Sequence, residues 1–377
     1  MIKIKNSRAL PSPALLFYEE AIRANFREAI RIAGTPARLR PHIKTHKTAE
    51  ISAMAMSFGI DKFKCATIAE AEMLARTGAP DILLSYTLVG RNAERLVELA
   101  EKYPHSRFST IVDDMDSAKT IDALARNAGA RLGAFLDLDI GQHRTGIAPG
   151  RAAAALYAYL ARESVAGSRP GRDPGLYAAG MHCYDGHNHQ HDIGERTAAA
   201  EACYAIMDDF RTSLRNAGLP VPEVVMGGTP TFPCYAAHDD VILSPGTCFL
   251  HDYSYASSFP DLKFQHAALI MARVVSRNKG LGTFTIDLGY KGISADPKGL
   301  RGYLPDFDGS APVLQNEEHW VFTAPDRGLP EIGEEVYVIP THICPTVALY
   351  ERAHIVDGDD VCFAEWKIAC RDRSIGI

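Results

Sequence analysis

Apolar and polar positions fall into two textures along the 377-residue chain. In the first two thirds, short β-branched or apolar runs stand at 39–43, 63–67, 82–86, 108–112, 132–139, 177–183, 224–226 and 241–243. Between them lie Ala- and Glu-rich stretches at 68–75, 93–102, 118–128, 151–163 and 195–217, with apolar residues at the spacing of one helix face. Eight βα repeats predict an α/β fold, a TIM-like (β/α)8 barrel. The open doubly wound sheet shares this alternation and differs in whether the sheet closes. After about Tyr253 the helical period fades, and β-type runs appear at 267–275, 283–288, 320–322, 335–339 and 348–356. The expected division is therefore a barrel over 1–255, whose first residues could join the second domain, and a β-rich domain over 256–377. The Gly-, Pro- and Arg-rich stretch at 166–175 reads as an insertion loop.

Composition narrows the class. With 46% hydrophobic residues the chain can bury a large core, and its formal net charge of −6 is mild. The basic residues are dispersed, so neither nucleic acid nor a membrane surface is an expected partner, and a small molecule is. The first 16 residues lack an apolar stretch followed by a cleavage site, and no segment has the length of a membrane span. The eight cysteines form no CxxC pair. Reduced thiols and a cytoplasmic setting are expected.

In a barrel, chemistry sits at the C-terminal strand ends and the loops after them. These ends are rich in polar groups: RPHIKTHK at 40–47, DLD at 137–139, HCYDGH at 182–187, GGT at 227–229 and SPGT at 244–247. Lys44, crowded by Arg40, His42, His46 and Lys47, is a nucleophile candidate, because like charge favours its neutral amine; the bland alternative is a solvated basic loop. Gly228 with Thr229, and Gly246 with Thr247, offer unobstructed N–H groups and a hydroxyl suited to a small phosphate, although glycine pairs also serve plain turns. His342 and Cys344, separated by one residue, can share a divalent metal if the chain there is extended, or form a buried structural pair. Among His182, His187, His189 and His191, His187 directly follows a strand end and is the acid–base candidate; the last two suit a solvated turn.

With HRTG at 143–146, GGTPT at 227–231 and THICPT at 341–346, these segments resemble the fold-type III pyridoxal-phosphate enzymes. The similar branch, an alanine-racemase-like one, contains metal-dependent D-threonine aldolase and eukaryotic-type D-serine dehydratase, and the resemblance spans nearly the whole chain. It implies that Lys44 holds pyridoxal 5'-phosphate as a Schiff base, that Arg144 supports the cofactor ring, and that Tyr184 borders cofactor and substrate. Gly228, Thr229, Gly246 and Thr247 would hold the phosphate, and His342 and Cys344 a divalent cation: Mn2+ or Zn2+, with Mg2+ or Co2+ as further options. Asp252 matches an acidic residue of the family, whereas Cys248 stands where an aromatic is common. The implied activity is that of a D-threonine aldolase, cleaving β-hydroxy D-amino acids (D-threonine or D-allo-threonine) between Cα and Cβ to glycine and an aldehyde; a positioned His187 or a metal-bound hydroxide could serve as the base. The alternative is dehydration of D-serine or D-3-hydroxyaspartate to a keto acid and ammonia. A racemase would not need His342 and Cys344, and a non-enzymatic single-barrel carrier of the cofactor would lack the second domain. The resemblance also implies a homodimer.

Overall fold

The structure, a computed structural model, describes residues 4–162, 175–373 and 376. The loop expected at 166–175 therefore falls, Gly175 apart, outside the described residues. The chain forms two compact units, one of Ile30–Lys44, Ile51–Gly246 and Asp372–Ile377, the other of Met1–Ala29, Thr45–Glu50 and Thr247–Arg371.

After β1 (Ala14–Tyr18) and α1 (Glu19–Ala33) come α2 (Ala49–Ser57), β2 (Lys62–Cys65), α3 (Ile68–Thr77), β3 (Asp81–Thr87), α4 (Arg91–Lys102), β4 (Arg107–Val112) and α5 (Met115–Asn127). The alternation continues through β5 (Leu132–Asp137), α6 (Arg151–Leu160), β6 (Leu176–Cys183), α7 (Ile193–Asn216), β7 (Glu223–Met226) and β8 (Ile242–Leu243). Strands β2 to β8 form one seven-stranded sheet in sequence order, every pair parallel. The extended segment 39–43 joins its two edges. Arg40 and His42 donate N–H groups to the carbonyls of Leu243 and Pro245, both at 2.8 Å, while Ile43 donates to Lys64 O and Lys64 to Pro41 O, both at 2.9 Å. The sheet thus closes, and the open doubly wound arrangement is excluded.

Local chemistry explains the elements. Parallel strands in a barrel are covered on both faces, and accordingly every residue of β5, LGAFLD, is buried. The Thr67 side chain caps α3 by accepting from Glu70 N at 3.2 Å, Gly78 ends that helix with φ +90°, and Asp192 caps α7 through Glu195 N at 2.9 Å. The β5–β6 register shifts between Ala134 and Phe135, opposite Ala178 and Gly180. Gly180 has φ +147°, and a Cβ there would lie 1.8 Å from Glu223 O, so only glycine fits this irregularity. Beyond it, Asp137 pairs with His182.

Arg40 ties the barrel together from within. Its side chain is 1% exposed, and it donates to Asp81 at 2.8 and 3.2 Å and to Glu223 at 2.7 Å. These carboxylates open β3 and β7, opposite the strand ends that carry the candidate site.

The second unit is built on a nine-stranded sheet. Its β1 lies between β9 (Ala268–Asn278), antiparallel, and β15 (Arg352–Val356), parallel. The sheet also holds β10 (Thr283–Ile286), β11 (Gly302–Tyr303), β12 (Pro312–Gln315), β13 (Trp320–Thr323), β14 (Glu335–Pro340) and β16 (Cys362–Lys367). Leu16, Leu269, Met271, Tyr337 and Val356 pack its core. Two short helices, α8 (Tyr253–Ser258) and α9 (Ile343–Ala348), accompany it. The latter corrects the start of the β run expected at 348. Among the described residues no helix is long and apolar enough to cross a membrane. All eight cysteines are free thiols.

Candidate active site

A cavity of about 410 Å³ opens at the C-terminal strand ends of the barrel, with His42, Lys44, Lys64, Arg144, His182 and Tyr184 in its wall. Its size suits a small cofactor. Lys44 follows the closing segment 39–43 and its side chain is exposed. The basic crowding expected around it is corrected by the structure. Arg40 is compensated by its two carboxylates, and His46 is buried and kept neutral, its pKa pushed down to about 3 by desolvation and then by Lys47. Lys64, in the same cavity wall, interacts electrostatically with Lys44.

Asp137 and His182 form the ordered polar pair of the cavity, with His182 Nδ1 2.7 Å from Asp137 Oδ1. Asp137 also accepts from Thr145 Oγ1 at 2.9 Å. Burial lowers the His182 pKa despite Asp137, whereas the Asp137 carboxyl, which burial alone would raise, is held low by its bond to His182. His182 is thus neutral near pH 7. Because the Nδ1–H donates to the Asp137 carboxylate, Nε2 is left as a proton acceptor.

The Arg144 guanidinium lies 4.9 Å from the centre of the Tyr184 ring, a cation–π arrangement. His187 is not part of this wall. It packs against Gly141, its Nε2 is 3.7 Å from Cys203 Sγ, and among the described residues its buried Nδ1 has no hydrogen-bond partner. His189 and His191 are exposed, as a solvated turn requires.

The two glycine loops abut cavity residues. A Cβ on Gly228 would lie 3.5 Å from the Tyr184 ring, and one on Gly246 would lie 2.8 Å from His42 O. Gly228 N donates to Thr231 Oγ1 at 3.1 Å and Gly246 N to Thr229 Oγ1 at 3.3 Å. Asp185 fixes the first loop, accepting from Thr231 Oγ1 at 3.0 Å and from Tyr235 OH at 2.7 Å.

His342 and Cys344 come together in the second unit. His342 starts α9 as its N-cap, and its Nδ1 lies 2.6 Å from Asp296 Oδ2. Burial would lower the His342 pKa, but its bonds to Cys344 and Asp296 win and raise it to about 9. Burial likewise pushes the Cys344 thiol up, and the hydrogen bond from His342 brings it down overall. Thr45 and Thr247 hydroxyls lie 3.2 and 3.5 Å from Cys344 Sγ. Asp252 anchors the segment by accepting from Ile343 N at 3.2 Å and Tyr255 N at 3.0 Å.

The residues fit the groups that the resemblance implies. A reachable amine, further cations and two glycine loops without obstructing side chains suit an anionic aldehyde cofactor. A cysteine sulfur beside a histidine ring, whose other nitrogen is oriented by a carboxylate, suits a soft divalent cation once both are deprotonated by its binding. Among the described residues no group of three or more His, Cys, Asp or Glu is disposed to hold a metal. Two protein ligands would leave positions open to small molecules, unlike a closed structural site.

Lys64, the Asp137–His182 pairing and Asp296 carried no role in the sequence reading. DLD and HCYDGH both stand at strand ends, and the register of neighbouring strands is the signal that links Asp137 to His182.

Comparison with known proteins gives concordant matches. Residues 18–253 match the alanine racemase N-terminal domain and residues 267–356 a putative serine dehydratase domain. The chain is 26% identical over 350 residues to a D-threonine aldolase of Arthrobacter sp, covering 89% of this chain and 86% of that one. It is 25% identical over 373 residues to a D-threo-3-hydroxyaspartate dehydratase of Delftia sp. (strain HT23), covering 93% and 95%. The crystal structure of a D-threonine aldolase from Filomicrobium marinum superposes with a TM-score of 0.88 at 28% identity, covering 100% of this chain and 99% of that one.

Proposed function

We infer the reaction from one premise: the chain belongs to the family of the alanine racemase N-terminal domain, here followed by a putative serine dehydratase domain. It is a pyridoxal-phosphate- and metal-dependent lyase that cleaves β-hydroxy D-amino acids such as D-threonine to glycine and an aldehyde. The observation that carries this reading is the barrel-mouth cavity, where Lys44 shares a wall with Arg144, Tyr184 and the Asp137–His182 pair.

When bound, pyridoxal phosphate supplies an electron sink for a bond breaking at Cα, and a divalent cation supplies Lewis acidity toward a hydroxyl. Lys44 would hold the cofactor, with Arg144 and Tyr184 beside its ring, and Gly228, Thr229, Gly246 and Thr247 would hold its phosphate. His342 and Cys344 would hold the cation. His182, rather than the His187 of the sequence reading, takes the β-hydroxyl proton at Nε2, and the Cα–Cβ electron pair moves toward Cα. A homodimer in the cytoplasm belongs to the same reading and rests on the resemblance.

One observation favours a second reading. The lowered thiol of Cys344 is a soft ligand that suits zinc and leans toward dehydration, in which Lys44 removes the α-proton and the β-hydroxyl leaves. The first reading is tested with Lys44→Ala. The wild type should retain pyridoxal phosphate through dialysis and release glycine from D-threonine; the variant should do neither. A variant that keeps both would overturn it.

A further inference from the structure

A second amine faces the cavity without a partner. Lys64 on β2 is 3% exposed and lies in the same wall as Lys44. Among the described residues its Nζ meets no hydrogen-bond acceptor and no ion-pairing carboxylate, only the Tyr184 ring 5.9 Å away. The nearby acids are engaged elsewhere: Asp137 with His182 and Thr145, Asp185 with Thr231 and Tyr235. Burial first, then Lys44 and Arg40, bring the Lys64 pKa down to about 7 from 10.5. A desolvated amine with no acceptor is costly in a finished core. Facing a cavity, it is explained by an anion that arrives with a ligand.

Depth indicates which ligand. Lys64 is the strand partner of His42, so Lys44 stands two residues nearer the mouth of the barrel. Lys44 is exposed and Lys64 buried, so Lys64 is the deeper of the two amines. An incoming substrate meets the level of Lys44, whereas Lys64 faces whatever already occupies the cavity floor.

We propose that Lys64 is a further cofactor-binding residue, its ammonium donating to an anionic oxygen of pyridoxal phosphate. The inference rests on the cofactor reading above. Apo-protein is titrated with pyridoxal phosphate, following absorbance, for the wild type, Lys64→Met and Lys64→Arg, with circular dichroism confirming that each is folded. Lys64→Gln makes the same comparison should the methionine variant misfold. Removing one charge-assisted hydrogen bond should weaken binding by ~10- to ~100-fold, and arginine should recover most of it. Titration with unphosphorylated pyridoxal identifies the oxygen: an equal loss assigns it to the ring, and a loss confined to pyridoxal phosphate assigns it to the phosphate. In the ring case, the absorbance of bound cofactor also titrates at higher pH in Lys64→Met, a shift that a purely structural lysine would not cause. Equal binding by wild type and the Met or Gln variant overturns this inference alone. A wild type that binds no pyridoxal phosphate overturns the cofactor reading and this inference with it.

Discussion

Replacing Asp81 by alanine strips the barrel of a charge partner it cannot replace from solvent. Arg40, 1% exposed, would lose its contacts at 2.8 and 3.2 Å and keep Glu223 at 2.7 Å and the Phe63 carbonyl at 3.4 Å. Breaking a buried ion pair from one side costs ~3–5 kcal/mol, and with Glu223 remaining we expect the lower end, ~3 kcal/mol. The further loss of the Arg107 contact adds little, since the Arg107 side chain is 60% exposed. Urea denaturation of wild type, Asp81→Ala, Arg40→Met and the double variant gives the coupling directly. The double variant should cost clearly less than the sum of the singles, because no unpaired guanidinium remains. The effect also depends on pH. Burial favours the protonated Asp81, but Arg40 and Arg107 prevail and hold the carboxyl below its ordinary 3.8. Its contribution is therefore full above that value and is lost as pH falls through the depressed one, so the acid limb of stability should be shallower in Asp81→Ala. A cost within ~0.5 kcal/mol, the range of an ordinary surface substitution, would refute this account of the triad.

Three further outcomes are expected. Asp137→Asn should lower kcat by ~100-fold or more, the scale of general-base catalysis, because the His182 tautomer is no longer fixed. Asp137 raises the His182 pKa against burial, so the acid limb of the pH–rate profile should move to lower pH in this variant; an unmoved limb would remove His182 from the base role. His342→Ala and Cys344→Ala should each reduce bound divalent metal and activity together, as measured by elemental analysis and turnover; unchanged metal content would dispose of the site. Gly180→Ala should destabilise the barrel, because its Cβ would meet Glu223 O at 1.8 Å; a melting temperature equal to wild type would contradict the need for glycine there.

How much was legible depends on the range over which each signal acts. Alternation of runs and helical faces is local, and it located the barrel strands to within a few residues: 132–139 against Leu132–Asp137, and 177–183 against Leu176–Cys183. Closure was not local. It depends on segment 39–43 reaching both Leu243 and Lys64, which periodicity cannot express. β1 escaped notice because ALLFY is a five-residue apolar run with no alternation, and β16 because its residues are partly exposed. The apolar stretch near Ala348 reads equally as strand or helix, and its first part ends α9.

The candidate site divides in the same way. Motifs placed Lys44, Arg144 and Tyr184 together, and the cavity contains all three. His187 lies outside the cavity wall because a residue just past a strand end can turn aside, here toward Gly141 and Cys203. Lys64 was hidden because a lysine in KFKC looks solvated until the barrel closes around it.

The most direct test of the central claim is a product balance with D-threonine, using protein supplied with pyridoxal phosphate and a divalent cation. Equimolar glycine and acetaldehyde, without ammonia, is the predicted result. Stoichiometric 2-oxobutyrate and ammonia, with no glycine, would contradict Cα–Cβ cleavage and assign the site to dehydration.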